Sequence, residues 1–162
     1  MSAAKAKYAA WRATPSWDKA RTLAVIVALL GIFVAGYMAW AEVTGNETVC
    51  VETETIDCAA VQQSVYAETW GIPVAILGLV GYVAILAVLL LEDQIGFLAA
   101  YGRSLVVAMA LFGVMFQTYL TYIEAGVLHK WCQWCVASYI LITALFVLSA
   151  YRLYVFLRPL RR

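Results

Sequence analysis

The stretch IPVAILGLVGYVAILAVLLL, residues 72 to 91, decides the fold class. It contains no charged side chain, and a helix needs about 20 mainly apolar residues to cross the hydrocarbon core of a bilayer. Working outward, three further segments meet the same requirement. One runs from about Thr22 to Ala41 without a charge. Another, about Leu105 to Ile123, carries only Gln117 and hydroxyl side chains as polar groups. The last starts near Cys132, stays apolar to about Tyr151 and is drawn as a helix to about residue 155. An open sheet in lipid would leave backbone groups unpaired. The expected architecture is therefore an all-α integral membrane protein: one membrane domain over 1–162, a four-transmembrane-helix bundle with helices at about 22–41, 72–91, 105–123 and 132–155, and a loop over 42–71.

Composition agrees. Of 162 residues, 65% are hydrophobic and 13% charged, and the mean hydropathy is +0.84. An ordinary soluble domain is roughly 45–50% apolar and about 25% charged. A disordered chain, a nucleic-acid binder and a soluble enzyme are all excluded together. The net charge of +1 says little, because its parts are segregated. Lys5, Lys7, Arg12, Lys19 and Arg21 precede the first span, and Arg152, Arg158, Arg161 and Arg162 follow the fourth. The first connection has no Lys or Arg but holds Glu42, Glu47, Glu52, Glu54, Asp57 and Glu68. The positive-inside rule then predicts a multi-pass protein of the cell membrane with both termini cytoplasmic and the first and third loops outside. The second loop, Glu92 to Ser104 with its lone Arg103, is placed inside by parity. Ala39-Trp40-Ala41 resembles a signal-peptidase site, but the apolar run before it exceeds the 7–15 residues of a signal core. The span reads as retained.

All four cysteines, Cys50, Cys58, Cys132 and Cys135, fall on the outward side, where disulfides persist. Two structural bridges would account for Cys50 and Cys58. They account poorly for Cys132-Gln-Trp-Cys135, since so short a bridge removes little unfolded-state entropy and such pairs are more often redox-active, with one acidic thiol. A zinc site expects closely spaced pairs on both sides, and Cys50 and Cys58 are too far apart for that. No metal is therefore expected, and the redox reading fits best. At 100° per residue, Cys132, Cys135 and Tyr139 fall within about 60° on the fourth helix, so a dithiol and a phenol share one stripe. The segment after Asp57 reads as a short helix capped by Asp57, with Cys58 in its first turn, where the helix dipole favours a thiolate. Pro73 falls near the first helical position of the second span.

Other polar candidates are weighed alongside. Gln117, Thr121 and Glu124 share a face of the third helix, and a polar stripe within a membrane is a candidate for function; solvation at the outer interface is the plainer account of Thr121 and Glu124. His129 reads as a loop residue. Trp131 and Trp134 read as interfacial anchors, and Glu52, Glu54 and Glu68 as a solvated or docking face.

Three runs carry a likeness: Asp57-Cys58-Ala-Ala-Val-Gln-Gln-Ser64, Trp70-Gly71-Ile72-Pro73 and Cys132-Gln-Trp-Cys135-Val-Ala-Ser-Tyr139. Together they resemble bacterial homologues of vitamin K epoxide reductase, over about residues 20 to 155. The resemblance implies a membrane thiol:quinone oxidoreductase that reoxidises a separate, secreted thioredoxin-like (DsbA-like) protein on the outer face. Electrons would pass from the partner to Cys50 and Cys58, then to Cys132 and Cys135, then to a quinone of the membrane pool, ubiquinone or menaquinone. It also implies that Cys135 meets the quinone, with Tyr139 and Ser64 near the ring; Gln117, from the polar stripe of the third helix, is a further candidate for lining that pocket. Many bacterial members carry a fused thioredoxin-like domain that this chain is not expected to have. The animal enzymes have an Asn before the second span, where this sequence reads Tyr66-Ala67-Glu68-Thr69-Trp70; that departure argues against epoxide reduction and leaves plain quinone reduction. Two alternatives remain: a DsbB-type enzyme, although that family orders its cysteine pairs the other way round, and a tetraspanning structural protein with a disulfide-braced outer cap.

Overall fold

A computed structural model describes residues 15–158, with side chains from residue 19 onward. Lys5, Lys7, Arg12, Arg161 and Arg162, on which part of the orientation argument rests, lie outside the described residues. The elements are α1 (Pro15–Thr44), the short α2 (Cys58–Gln62), a two-stranded hairpin of β1 (Glu68–Thr69) and β2 (Ile72–Pro73), α3 (Val74–Leu91), α4 (Gly96–Ile123) continued by a π-helical turn (Glu124–Leu128), and α5 (Gln133–Leu157). Four of these helices are long and apolar enough to span a bilayer. They form a ring in which α1 packs on α3, α3 on α4, α4 on α5 and α5 back on α1.

Helices in lipid gain little from burying apolar surface and associate instead through close packing at small residues. Ala24, Ala28 and Ala35 on α1 are buried against Tyr82, Ile85 and Leu89 of α3, and the core continues through Val106, Ala110, Ile142 and Leu145. Gly31 is the tightest point: a Cβ there would lie 2.2 Å from the Tyr82 ring. The Tyr82 hydroxyl in turn donates to the Ser138 carbonyl at 2.9 Å, tying α3 to α5.

Three boundaries differ from the sequence reading. The third span starts at Gly96 rather than near Leu105, so most of the expected inner loop is helix and only a short turn joins α3 to α4. Pro73 caps α3 rather than entering it. The hairpin ahead of it turns through Trp70 and Gly71, both at positive φ, 55° and 75°, the backbone that a tight two-residue hairpin demands.

The same correction moves charges. Arg103 and Arg152 were read as flanking residues, yet both are buried, as is Glu92. Arg152 donates to Glu92, Arg21 pairs with Asp93 and reaches the Leu89 carbonyl at 2.7 Å, and the Arg103 guanidinium lies 4.5 Å from the Phe156 ring centroid. This cluster joins the start of α1, the α3–α4 turn and the end of α5, at the end of the bundle opposite the cysteines. Removing one partner of a buried pair leaves the other charge uncompensated, at about 3–5 kcal/mol. Arg21 Nε, 3.6 Å from Glu92, still faces that carboxylate, so Arg152→Met is expected to lower thermal stability in detergent by up to about 3 kcal/mol, and adding Glu92→Gln to restore part of it; equal melting temperatures for wild type and Arg152→Met would contradict the pairing.

Candidate functional site

Four cysteines converge where the acidic loop meets the start of α5. Cys58 and Cys132 are 1% and 0% exposed and form one cluster with Val61, against which Cys50, Cys135, Met38, Leu128 and Trp134 pack. Cys50 and Cys58 form a disulfide with Cα atoms 6.1 Å apart, and Cys132 and Cys135 are free thiols.

Local chemistry builds this arrangement. Asp57 caps α2 as expected, its side chain accepting from the Ala60 N–H at 2.9 Å. The cap sets Cys58 at the first helical residue, facing inward. Cys132 opens α5 one position earlier, in the place that Asp57 takes on α2. It is the N-cap rather than a helical residue, and its Sγ accepts from the Cys135 N–H at 3.4 Å. The first N–H groups of a helix have no intrahelical partner, so a thiolate at this position is stabilised by them and by the dipole. A hydrogen bond from the Cys135 thiol is the largest influence and these N–H groups add to it; burial and the nearby Glu124 carboxylate oppose them, and the net effect holds Cys132 below the ordinary cysteine range. The dipole argument made for Cys58 thus applies at Cys132.

The loop is strapped to α5 at two places. On the Cys58 side, Trp131 donates its N–H to the Thr55 carbonyl at 2.9 Å and accepts from the Asp57 N–H at 3.1 Å, while Lys130 Nζ reaches the Glu54 carbonyl at 3.0 Å. On the Cys50 side, the Val49 carbonyl accepts from Gln133 Nε2 at 3.0 Å and from Trp134 Nε1 at 2.8 Å, and Gln133 Oε1 accepts from the Val51 N–H at 3.3 Å. Tyr37 of α1 completes this strap, its hydroxyl accepting from the Val49 N–H at 2.9 Å and its ring packing on Trp134 at 4.9 Å between centroids. The two residues between Cys132 and Cys135 therefore hold the chain on either side of Cys50. Sequence reasoning gave Trp134 a membrane-anchoring role and did not single out Gln133.

The remaining candidates divide. Tyr139 sits one helical turn below Cys135, its hydroxyl 3.0 Å from Thr118 Oγ1 on α4. Gln117 lies at the same seam and donates to the Cys135 carbonyl at 3.1 Å. Ser64 donates to the Val61 carbonyl at 2.7 Å, closing α2. Glu124, read as an interfacial residue in solvent, is instead 3% exposed; its Oε2 accepts from the Cys132 N–H at 3.3 Å, which sets the carboxyl beside the inner thiol pair. The position of Glu124 on the Gln117 face was the usable signal; the π-helical turn that begins at Glu124 has no signature in the sequence.

The sequence pattern of the vitamin K epoxide reductase family matches residues 22–150. This chain belongs to that family. The match spans all four membrane helices, the loop pair and the Cys132–Cys135 motif. As a member of the vitamin K epoxide reductase family the protein is a multi-pass membrane oxidoreductase of the disulfide- and quinone-linked kind. The match takes in the bonded pair Cys50 and Cys58 and the free thiols Cys132 and Cys135.

The straps make a quantitative claim. Trp134→Phe keeps a ring against Tyr37 and deletes the bond to Val49, worth about 1 kcal/mol. Reduction of the Cys50–Cys58 disulfide by dithiothreitol is expected to accelerate about five-fold, the equivalent of that loss; an unchanged rate would show that the strap does not hold Cys50.

Proposed function

We propose that the protein is a thiol:quinone oxidoreductase that reoxidises a separate thioredoxin-like, disulfide-forming protein at the outer face of the cell membrane. Electrons run from that partner to Cys50 and Cys58, on to Cys132 and Cys135, and out to ubiquinone or menaquinone. The observation that carries the reading is the pairing itself: an oxidised loop pair packed in one cluster with a reduced helix pair.

Access and position support the order. Cys50 is half-exposed while Cys58 is buried, so a partner thiolate attacks Cys50 and Cys58 leaves as the thiolate. Exchange proceeds through a mixed disulfide, and Cys58, packed in one cluster with Cys132, reduces the Cys132–Cys135 disulfide by attack at Cys132. The Cys135 thiolate is then released one turn above Tyr139, at the α4–α5 seam that opens to lipid. Gln117, Thr118 and Tyr139 offer polar groups there against a quinone ring, and a quinone in the bilayer approaches from that side. Ser64, committed to α2, supports the loop. Orientation follows the charge asymmetry of the chain, with termini cytoplasmic and cysteines outside. Cys50, released by the partner's second thiol, then attacks Cys58, which re-forms Cys50–Cys58 and frees Cys132; loss of two electrons and two protons from the inner dithiol converts quinone to quinol.

The test is quinone-dependent oxidation of a reduced thioredoxin-like protein by the purified chain in lipid nanodiscs. Wild type is expected to turn over, Cys50→Ser and Cys135→Ser to lose at least about a thousand-fold, and Cys135→Ser to accumulate a Cys58–Cys132 cross-link on non-reducing peptide mapping. Absence of quinone consumption by wild type would overturn the proposal.

A further inference from the structure

The buried carboxyl of Glu124 belongs to no step described so far. It lies in the π-helical turn Glu124–Leu128, 3% exposed, with Oε2 3.3 Å from the Cys132 nitrogen, beside a thiol pair whose protonation it influences. Among the described residues no Lys, Arg or His lies within ion-pair distance of it: Lys130 is turned to the Glu54 carbonyl, and His129 is exposed, its Nδ1 3.3 Å from the Val127 carbonyl. A buried carboxylate without a cation is costly to keep, so a structural role as a helix tie is a poor account of it. It lies on the Gln117 face of its helix, the face that meets the start of α5, and the π-helical turn that begins at Glu124 is a feature that recurs at functional sites.

We propose that Glu124 is a catalytic residue for the inner cysteine pair, taking the proton from the Cys135 thiol as electrons leave for the quinone and returning it to the reduced quinone oxygen beside Cys135. The inference rests on the thiol:quinone reading above and adds its proton path. In the step, the Cys135 S–H bond breaks onto the Glu124 carboxylate and the Cys132 proton leaves to water at the outer end of the bundle. The Cys132–Cys135 S–S bond then forms as two electrons pass to the quinone. Glu124 gives its proton to the nearer quinol oxygen, and the farther oxygen takes one from the outer aqueous side. Dithiol plus quinone gives disulfide plus quinol, with nothing left over. The titratable groups facing the carboxyl are Cys132 and Cys135 from the start of α5; α2, packed on the same turn, brings only Cys58, oxidised with Cys50, and the capping Asp57, directed to Ala60.

Three chains test this in nanodiscs, each reduced with dithiothreitol, freed of reductant and mixed with a soluble short-tailed quinone: wild type, Glu124→Gln and Glu124→Asp. Gln keeps an oxygen for the Cys132 N–H and cannot carry the proton. Positioned acid–base groups contribute about 10²–10⁴-fold, so Glu124→Gln is expected to form quinol at least about a hundred-fold slower near neutral pH, with the deficit shrinking as pH rises and solvent takes the thiol proton. Glu124→Asp is expected to stay within about ten-fold of wild type. Reduction of Cys50–Cys58 by a dithiol partner is expected to be unchanged in both. A Glu124→Gln rate equal to wild type, or a deficit that is the same at every pH, overturns the proposal while wild-type turnover leaves the thiol:quinone reading intact. A wild type that forms no quinol overturns that reading and the proposal with it.

Discussion

The site depends on the bonds that hold the loop against the head of α5. A loop of this length, rich in acidic residues and tethered only at its ends, would sample many positions over the bundle, and thiol exchange needs sulfurs brought into line. Trp131 fixes the backbone just before Cys58, and Gln133 and Trp134 fix it on both sides of Cys50. Each bond is worth about 1 kcal/mol on its own; acting on one short segment they confine the disulfide over Cys132. They also spread the positioning over the same tetrapeptide that carries the inner thiols, so the loop pair and helix pair cannot drift independently.

The rest of the bundle serves that end. The ion-pair cluster of Arg21, Glu92, Asp93 and Arg152 pins three helices at the opposite end, leaving the cysteine end to be held by hydrogen bonds that a partner can displace. Close packing of Gly31 on Tyr82, and of Tyr82 on Ser138, sets the height of α5 relative to α1. That in turn places Trp134 beside Tyr37.

Much of the fold was legible because lipid imposes simple rules. Uncharged runs of sufficient length gave four spans, Asp57 announced the short helix, and the position of four cysteines on one side marked the site. What escaped is equally physical. Hydropathy cannot see a buried ion pair, so Arg103 and Arg152 read as flanking charges and α4 was shortened by nearly a third of its length. Glu124 read as solvated because it lies at the outer end of its helix, and its burial comes from the head of α5 and from α2 folding over that end, contacts that no local residue pattern announces. Gln133 escaped because the intervening residues of a Cys-x-x-Cys motif are usually read for their effect on thiol acidity, whereas here they act as hydrogen-bond donors to a distant loop.

The most direct measurement of the account is the order in which disulfides appear when the fully reduced chain in nanodiscs meets one equivalent of quinone, by rapid acid quench and peptide mapping. The electron path described here predicts that Cys132–Cys135 forms first and that Cys50–Cys58 follows as Cys132–Cys135 is consumed. Appearance of Cys50–Cys58 first, or its formation at an unchanged rate when Cys135 is replaced by Ser, would contradict it.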